Sequence, residues 1–174
     1  RFTSPGNERL MQSPHFAVHF GGAEANVGVS LARFGHRVQM VSALPDNPLG
    51  HATLEALRAQ NVDTRHIQTS AGRIGTYFLE AGAVRRPSRI VYDRANSVFA
   101  MTPAVTYVWH AILGGADWLH LSGITPAVGA DPSAAAKNAF QAARRHGVRI
   151  SFDGNYRQAL WSAWGGDGPD VLRD

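Results

Sequence analysis

The 174-residue sequence contains no cysteine. Without thiols there is neither a disulfide framework nor a thiolate metal site, which suits a reducing, cytoplasmic setting. Lys137 is the sole lysine, so the net charge of +4 is carried almost wholly by arginine. No apolar run approaches the roughly 20 residues that span a bilayer. The N-terminus lacks the secretory order of basic start, apolar stretch and small-residue cleavage site. Walker A and His-Glu-x-x-His sequences are missing, and no Ser/His/Asp triad is inferred. What remains is an ordinary composition, 44% hydrophobic, long enough for one domain with a real core. The densest arginine groups, Arg85-Arg86-Pro87-Ser88-Arg89 and Arg144-Arg145, fall at a turn and a helix end and read as solvated charge. An anionic metabolite fits this balance better than nucleic acid does, and nothing points to a membrane.

The most informative residues are Gly21-Gly22-Ala23-Glu24-Ala25-Asn26. A glycine pair admits a sharp turn and a close ligand approach. The residues after it read as the first turn of a helix, where backbone N–H groups are free. Asn26 adds an amide that both donates and accepts. The combination suits a small molecule rich in hydroxyls or carrying an anion.

Along the chain, strands alternate with helices. Residues 16–20 alternate as a half-buried strand, and 24–34 form a helix closed by Gly35. A strand at 38–42 precedes a helix through Leu54, Leu57 and Arg58. The spacing of 105, 108, 109, 112 and 113 predicts a helix over Val105–Leu113. Strands at 117–122 and 148–153 flank an alanine-rich helix that opens at Asp131-Pro132 and ends at His146-Gly147. This rhythm argues for a doubly wound α/β domain with a mostly parallel sheet. The segments 74–80 and 89–96 break it as a hairpin. Together with a strand in the region 10–20 they form a small β-sheet lid beside the main sheet. The chain opens at Arg1 without methionine and stops within what reads as another helix at Val171–Asp174. It is therefore expected to be the N-terminal part of one domain over 1–174, with an incomplete sheet.

Four further clusters carry chemistry. Tyr92 and Arg94, two apart on an extended strand, share a face, and Tyr77 lies on the partner strand. A guanidinium fork matches a carboxylate bidentately, though an ordinary exposed hairpin shows the same pattern. Leu119–Pro126 is a strand entering a Gly/Pro loop, the kind of place where doubly wound sheets bind ligands. His120 within it reads as a sheet histidine. Phe152–Arg157 leaves another strand end with an acid, an amide and a guanidinium together. His15 and His19 have a helical chelating spacing, but on a strand they stand about 13 Å apart, so no metal site is inferred. Gly165-Gly166-Asp167-Gly168 reads as a solvated loop.

In order and spacing these segments resemble the N-terminal part of the PfkB (ribokinase-like) carbohydrate kinases. The matching runs are GGAEANVGVSLARFGHRV (21–38), DNPLGHATLEALRAQNVDT (46–64), GTYFLEAG (75–82), VYDRANS (91–97), DWLHLSGITPAV (117–128) and SFDGNYRQALW (151–161). The run LHLSGITPA followed by FDxNYRxxLW resembles the 2-keto-3-deoxygluconate branch of that family. The resemblance implies transfer of the ATP γ-phosphoryl group, with Mg²⁺, to a hydroxyl of an acidic keto sugar, and a homo-oligomer assembled through the lid. By motif match Gly22, Asn26, Tyr77, Tyr92, Arg94, Ile124 and Arg157 meet the sugar. Asn155 and Arg157 lie between sugar and nucleotide phosphates. The family's catalytic Asp loop is expected after Asp174, so this stretch holds no catalytic base and is expected to be inactive alone. Asp93 stands where relatives often have a second aromatic residue, and Gly154 where they often have proline. Two other readings remain open here: a kinase for a neutral sugar such as fructose, and a non-catalytic sugar-binding or dimerisation module.

Overall fold

A computed structural model describes residues 1–162. The glycine-rich 165–168 run and the helix expected at Val171–Asp174 lie outside the described residues. The chain begins with two short strands, β1 (Phe2–Thr3) and β2 (Ala17–Val18), separated by a 3₁₀ turn at Leu10–Gln12. Helix α1 (Ala23–Arg33), strand β3 (Val38–Pro45), helix α2 (Pro48–Arg58) and strand β4 (Val62–Ser70) follow. The hairpin β5 (Thr76–Glu80) and β6 (Arg89–Asp93) leads to the short helices α3 (Val98–Met101) and α4 (Trp109–Ile112). Strand β7 (Trp118–Ser122), helix α5 (Ala130–His146), strand β8 (Arg149–Asp153) and helix α6 (Gln158–Trp161) complete the order.

The fold is the expected ribokinase-like α/β arrangement, with parallel strands joined through helices. β3 pairs in parallel with β4, and β7 with β8. Side-chain alternation sends successive residues to opposite faces of a strand. Val38, Met40 and Leu44 of β3 therefore pack with Ala25, Ala32 and Leu57 of α1 and α2. Val41 points the other way, to Ala104, Tyr107, Ile112 and Ala135. On β7, Leu119 and Leu121 meet Ala136 and Ala139 of α5. Small side chains let α5 lie close to its strands, and Ala139 and Ala143 have no exposed surface. Gly147, at φ 67°, ends that helix in the left-handed conformation, as Pro-first, Gly-last helices do.

The two parallel pairs do not join. Residues of β3, β7 and α1 line one cavity of about 2090 Å³.

The lid is a separate four-stranded sheet in the order β2-β1-β5-β6. Its first two strands differ from the expectation for 10–20. Only Ala17–Val18 is a paired strand there among the described residues, and Phe2–Thr3 supplies the strand that pairs with β5. Phe2 stacks on Phe78, with ring centres 5.2 Å apart, and Phe16 meets Phe78 edge-on. Three further readings need correction. The stripe at Val105–Leu113 is not one helix: a 3₁₀ turn covers Ala104–Thr106 and α4 begins at Trp109, leaving Val105 and Val108 exposed. Strand β4 had no counterpart in the sequence reading. Arg86 is not merely solvated, since it bonds the carbonyls of Asn7 and Ala81 and pins the hairpin turn.

Candidate functional site

Helix α1 starts without a side-chain cap, so its first backbone N–H groups have no side-chain acceptor. Gly22 is extended (φ −175°), a conformation any residue adopts, and an added Cβ would meet Ala25 only at an ordinary 3.8 Å. The protein's own fold therefore does not require glycine at 22; bare backbone there leaves room for something else. At Gly21 a Cβ would come within 3.0 Å of Asn26 Oδ1, so glycine at 21 leaves that amide in place.

The lid supplies the opposite wall. Tyr77 and Tyr92 are cross-strand partners with ring centres 6.0 Å apart. The Arg94 guanidinium lies 5.4 Å from the Tyr77 ring and 4.9 Å from the Tyr92 ring. It makes no hydrogen bond or ion pair among the described residues. Burial pushes its pKa below the ordinary arginine value, partly offset by Tyr92, Tyr77 and Glu24. A half-buried cation with stacked flanks and empty donors is poised for an anion. Asp93, its neighbour, faces away and pairs with Arg73 and Thr76. The Asp93 charge is thus spent outside the pocket, with its pKa lowered chiefly by the Arg73 hydrogen bond.

The third wall is the loop that leaves β7. Gly123 accommodates the β8 exit: a Cβ there would lie 2.2 Å from the Gly154 carbonyl oxygen, and Gly123 N donates to Asp153 O at 2.8 Å. Ile124 follows at the cavity edge. Glu24, quoted in the motif but given no role from sequence, reaches this loop from α1. Its Oε1 accepts from Ser122 N at 3.0 Å, Ser122 Oγ at 2.9 Å and Thr125 Oγ1 at 2.7 Å. An acid in a first helical turn is a weak sequence signal, since the helix dipole alone explains it.

Gly22, Asn26, Tyr77, Arg94 and Ile124 line one cavity. Tyr92 touches it through Arg94 and otherwise packs with Ile124, Ala127, Leu160 and Trp161. Asn155 and Arg157 are not brought into that wall. They follow β8, where Asn155 adopts φ 30° and its N–H donates to Asp153 Oδ1. The Arg157 side chain is exposed and has no hydrogen bond or ion pair among the described residues. His120, as read, is a sheet residue, its Nδ1 3.1 Å from Ser151 Oγ. Among the described residues no group of three or more His, Cys, Asp or Glu suits a metal ion.

An α/β sheet with a β-lid closing over a glycine-led helix start is the architecture of a sugar-kinase half-domain. The sequence profile of the pfkB family carbohydrate kinases matches residues 2–167, and the chain belongs to that family. It is 33% identical over 162 residues to a 2-dehydro-3-deoxygalactonokinase of Haloferax volcanii, covering 93% of this chain and 51% of that protein. The crystal structure of a 2-dehydro-3-deoxygluconokinase from Thermotoga maritima superposes with a TM-score of 0.89 at 44% identity, over 92% of this chain and 49% of that one. A fructokinase of Klebsiella pneumoniae is 29% identical over 171 residues, 97% of this chain and 50% of the fructokinase. The chain thus spans about half the length of these relatives.

Proposed function

We propose that this chain forms the sugar-binding half of an ATP-dependent kinase that phosphorylates a hydroxyl of 2-keto-3-deoxygluconate or a close acidic relative. The observation that carries this reading is Arg94: a half-buried guanidinium between two tyrosines, lining the cavity with no acidic side chain bonded to it among the described residues. A substrate carboxylate would complete it through two parallel charge-assisted bonds. Gly22 and the free N–H groups of α1 would take sugar hydroxyls or the keto oxygen, and Asn26 a further hydroxyl. Ile124 would set the apolar side of the pocket, and the tyrosine rings would cover the sugar's faces.

Arg157 and Asn155 fit a nucleotide's phosphates by chemistry, a guanidinium without a partner among the described residues beside an amide, rather than by lining the sugar cavity. ATP would supply the transferred phosphoryl group, and Mg²⁺ would neutralise charge on its phosphates. The sugar groups hold the acceptor hydroxyl still and exclude water, which is where much of phosphoryl-transfer catalysis resides. The base that deprotonates the hydroxyl would come from outside these residues, so this stretch alone would be inactive. The lid's outer strands each pair on one side only, and Val18, Ile90 and Val91 are exposed, which supports a homodimer through the lid. A cytoplasmic setting agrees with the lack of cysteine, and no helix among the described residues is long and apolar enough to cross a membrane.

A neutral-sugar kinase is the second reading, favoured by the fructokinase likeness. The experiment is a coupled ADP-release assay on the protein translated from the whole reading frame. A kcat/KM for 2-keto-3-deoxygluconate well above that for fructose supports the acidic substrate; the reverse order refutes it.

A further inference from the structure

Glu24 is half-buried at the start of α1 and bonds a loop about a hundred residues further along the chain. One oxygen, Oε1, takes all three donors, Ser122 N, Ser122 Oγ and Thr125 Oγ1. Ser122 is fully buried, and its Oγ also accepts from Ile124 N at 3.2 Å. A relay therefore runs from Glu24 through Ser122 to Ile124. Asn26, two residues past Glu24, and Ile124, at the far end of the relay, both line the cavity, which reaches Glu24 itself.

We propose that Glu24 is a positioning residue for the sugar site: its carboxylate locks the start of α1 to the loop leaving β7, fixing the Asn26-to-Ile124 spacing. The kinetic readout of this lock rests on the proposed function; the exchange readout does not. Two substitutions separate the contact from the charge. A glutamine amide keeps a carbonyl oxygen for the three donors but carries no charge, whereas alanine removes both.

The test uses Glu24→Gln and Glu24→Ala in the protein translated from the whole reading frame, read by amide hydrogen exchange and by kcat and KM for 2-keto-3-deoxygluconate and fructose. Glu24→Ala is expected to speed exchange at Ser122 and Ile124 and to raise KM for the preferred sugar by about tenfold, as loss of hydrogen bonds to a buried group does. Glu24→Gln, which keeps the accepting oxygen, is expected to leave that exchange unchanged and to restore most of the KM lost in Glu24→Ala. Unchanged Ser122 exchange in Glu24→Ala overturns the lock. Equal KM increases in Glu24→Gln and Glu24→Ala overturn the role of the three hydrogen bonds in the sugar site. A protein that phosphorylates neither sugar defeats the proposed function, while the exchange measurement still decides the lock.

Discussion

The Arg94 guanidinium carbon lies 4.9 Å from the centre of the Tyr92 ring, two residues back along the same face of the lid. The contact orients a cation that has no acceptor among the described residues. Arg94→Lys keeps the charge but loses both the fork and the stacking. KM for the acidic sugar should rise by about tenfold or more, the worth of a charge-assisted bond, with KM for fructose unchanged. Steady-state kinetics on both sugars checks this, and an equal loss for the two would assign Arg94 a structural role.

Arg73 and Asp93 clasp the base of the lid. Arg73 bonds the Asp93 carboxylate and the Ala95 carbonyl, tying the start of β5 to the end of β6. Asp93→Asn should increase amide exchange across 74–97 with little change elsewhere. The pairing depresses the Asp93 pKa below its ordinary 3.8, so its contribution is complete at neutral pH. That contribution disappears only as pH falls through the lowered value. NMR titration of the Asp93 carboxyl should give a midpoint below the usual carboxylate range, which Arg73→Ala restores.

At the alkaline end the sign reverses. Burial pushes the Tyr107 phenol up from 10.0 to about 12. A raised folded-state pKa contributes stability below the unfolded value and loses it as pH rises through the folded one. Thermal stability should therefore fall between about pH 10 and 12. Tyr107→Phe should flatten that fall in a Tm-against-pH series.

Gly123→Ala would push a Cβ to 2.2 Å from the Gly154 carbonyl oxygen, forcing the exits of β7 and β8 apart. A cost of about 1–3 kcal/mol in denaturant unfolding is expected, as for other overpacked sites. Gly154→Ala is the control: a Cβ there meets nothing within 4 Å, and stability should hardly change.

Elements whose own pattern is strong were legible in the sequence. α1 has its glycine start and Gly35 stop, α5 its Pro and Gly ends, and β5 and β6 their aromatic-rich hairpin. Strand β4 was not, because its alternation over Val62–Arg65 is broken at His66 and Ile67, and pairing with β3 completes the strand. The apolar spacing over 105–113 misled for the converse reason: the chain turns at Pro103 and Thr106, so Val105 and Val108 face solvent. Most of the pocket wall could be found from motifs lying near strand ends. Glu24 could not be given its role, since its three donors lie 98 to 101 residues away. That Asn155 and Arg157 do not line this cavity is something motif spacing does not encode.

The central claim is that one cavity between the α1 start, the lid and the β7 exit binds a carboxylate-bearing sugar through Arg94. Calorimetric titration of the whole-frame protein and its Arg94→Ala variant with 2-keto-3-deoxygluconate tests it most directly. The account predicts saturable binding to the first and a loss of about tenfold or more in the second. Equal affinity for the two proteins would contradict it.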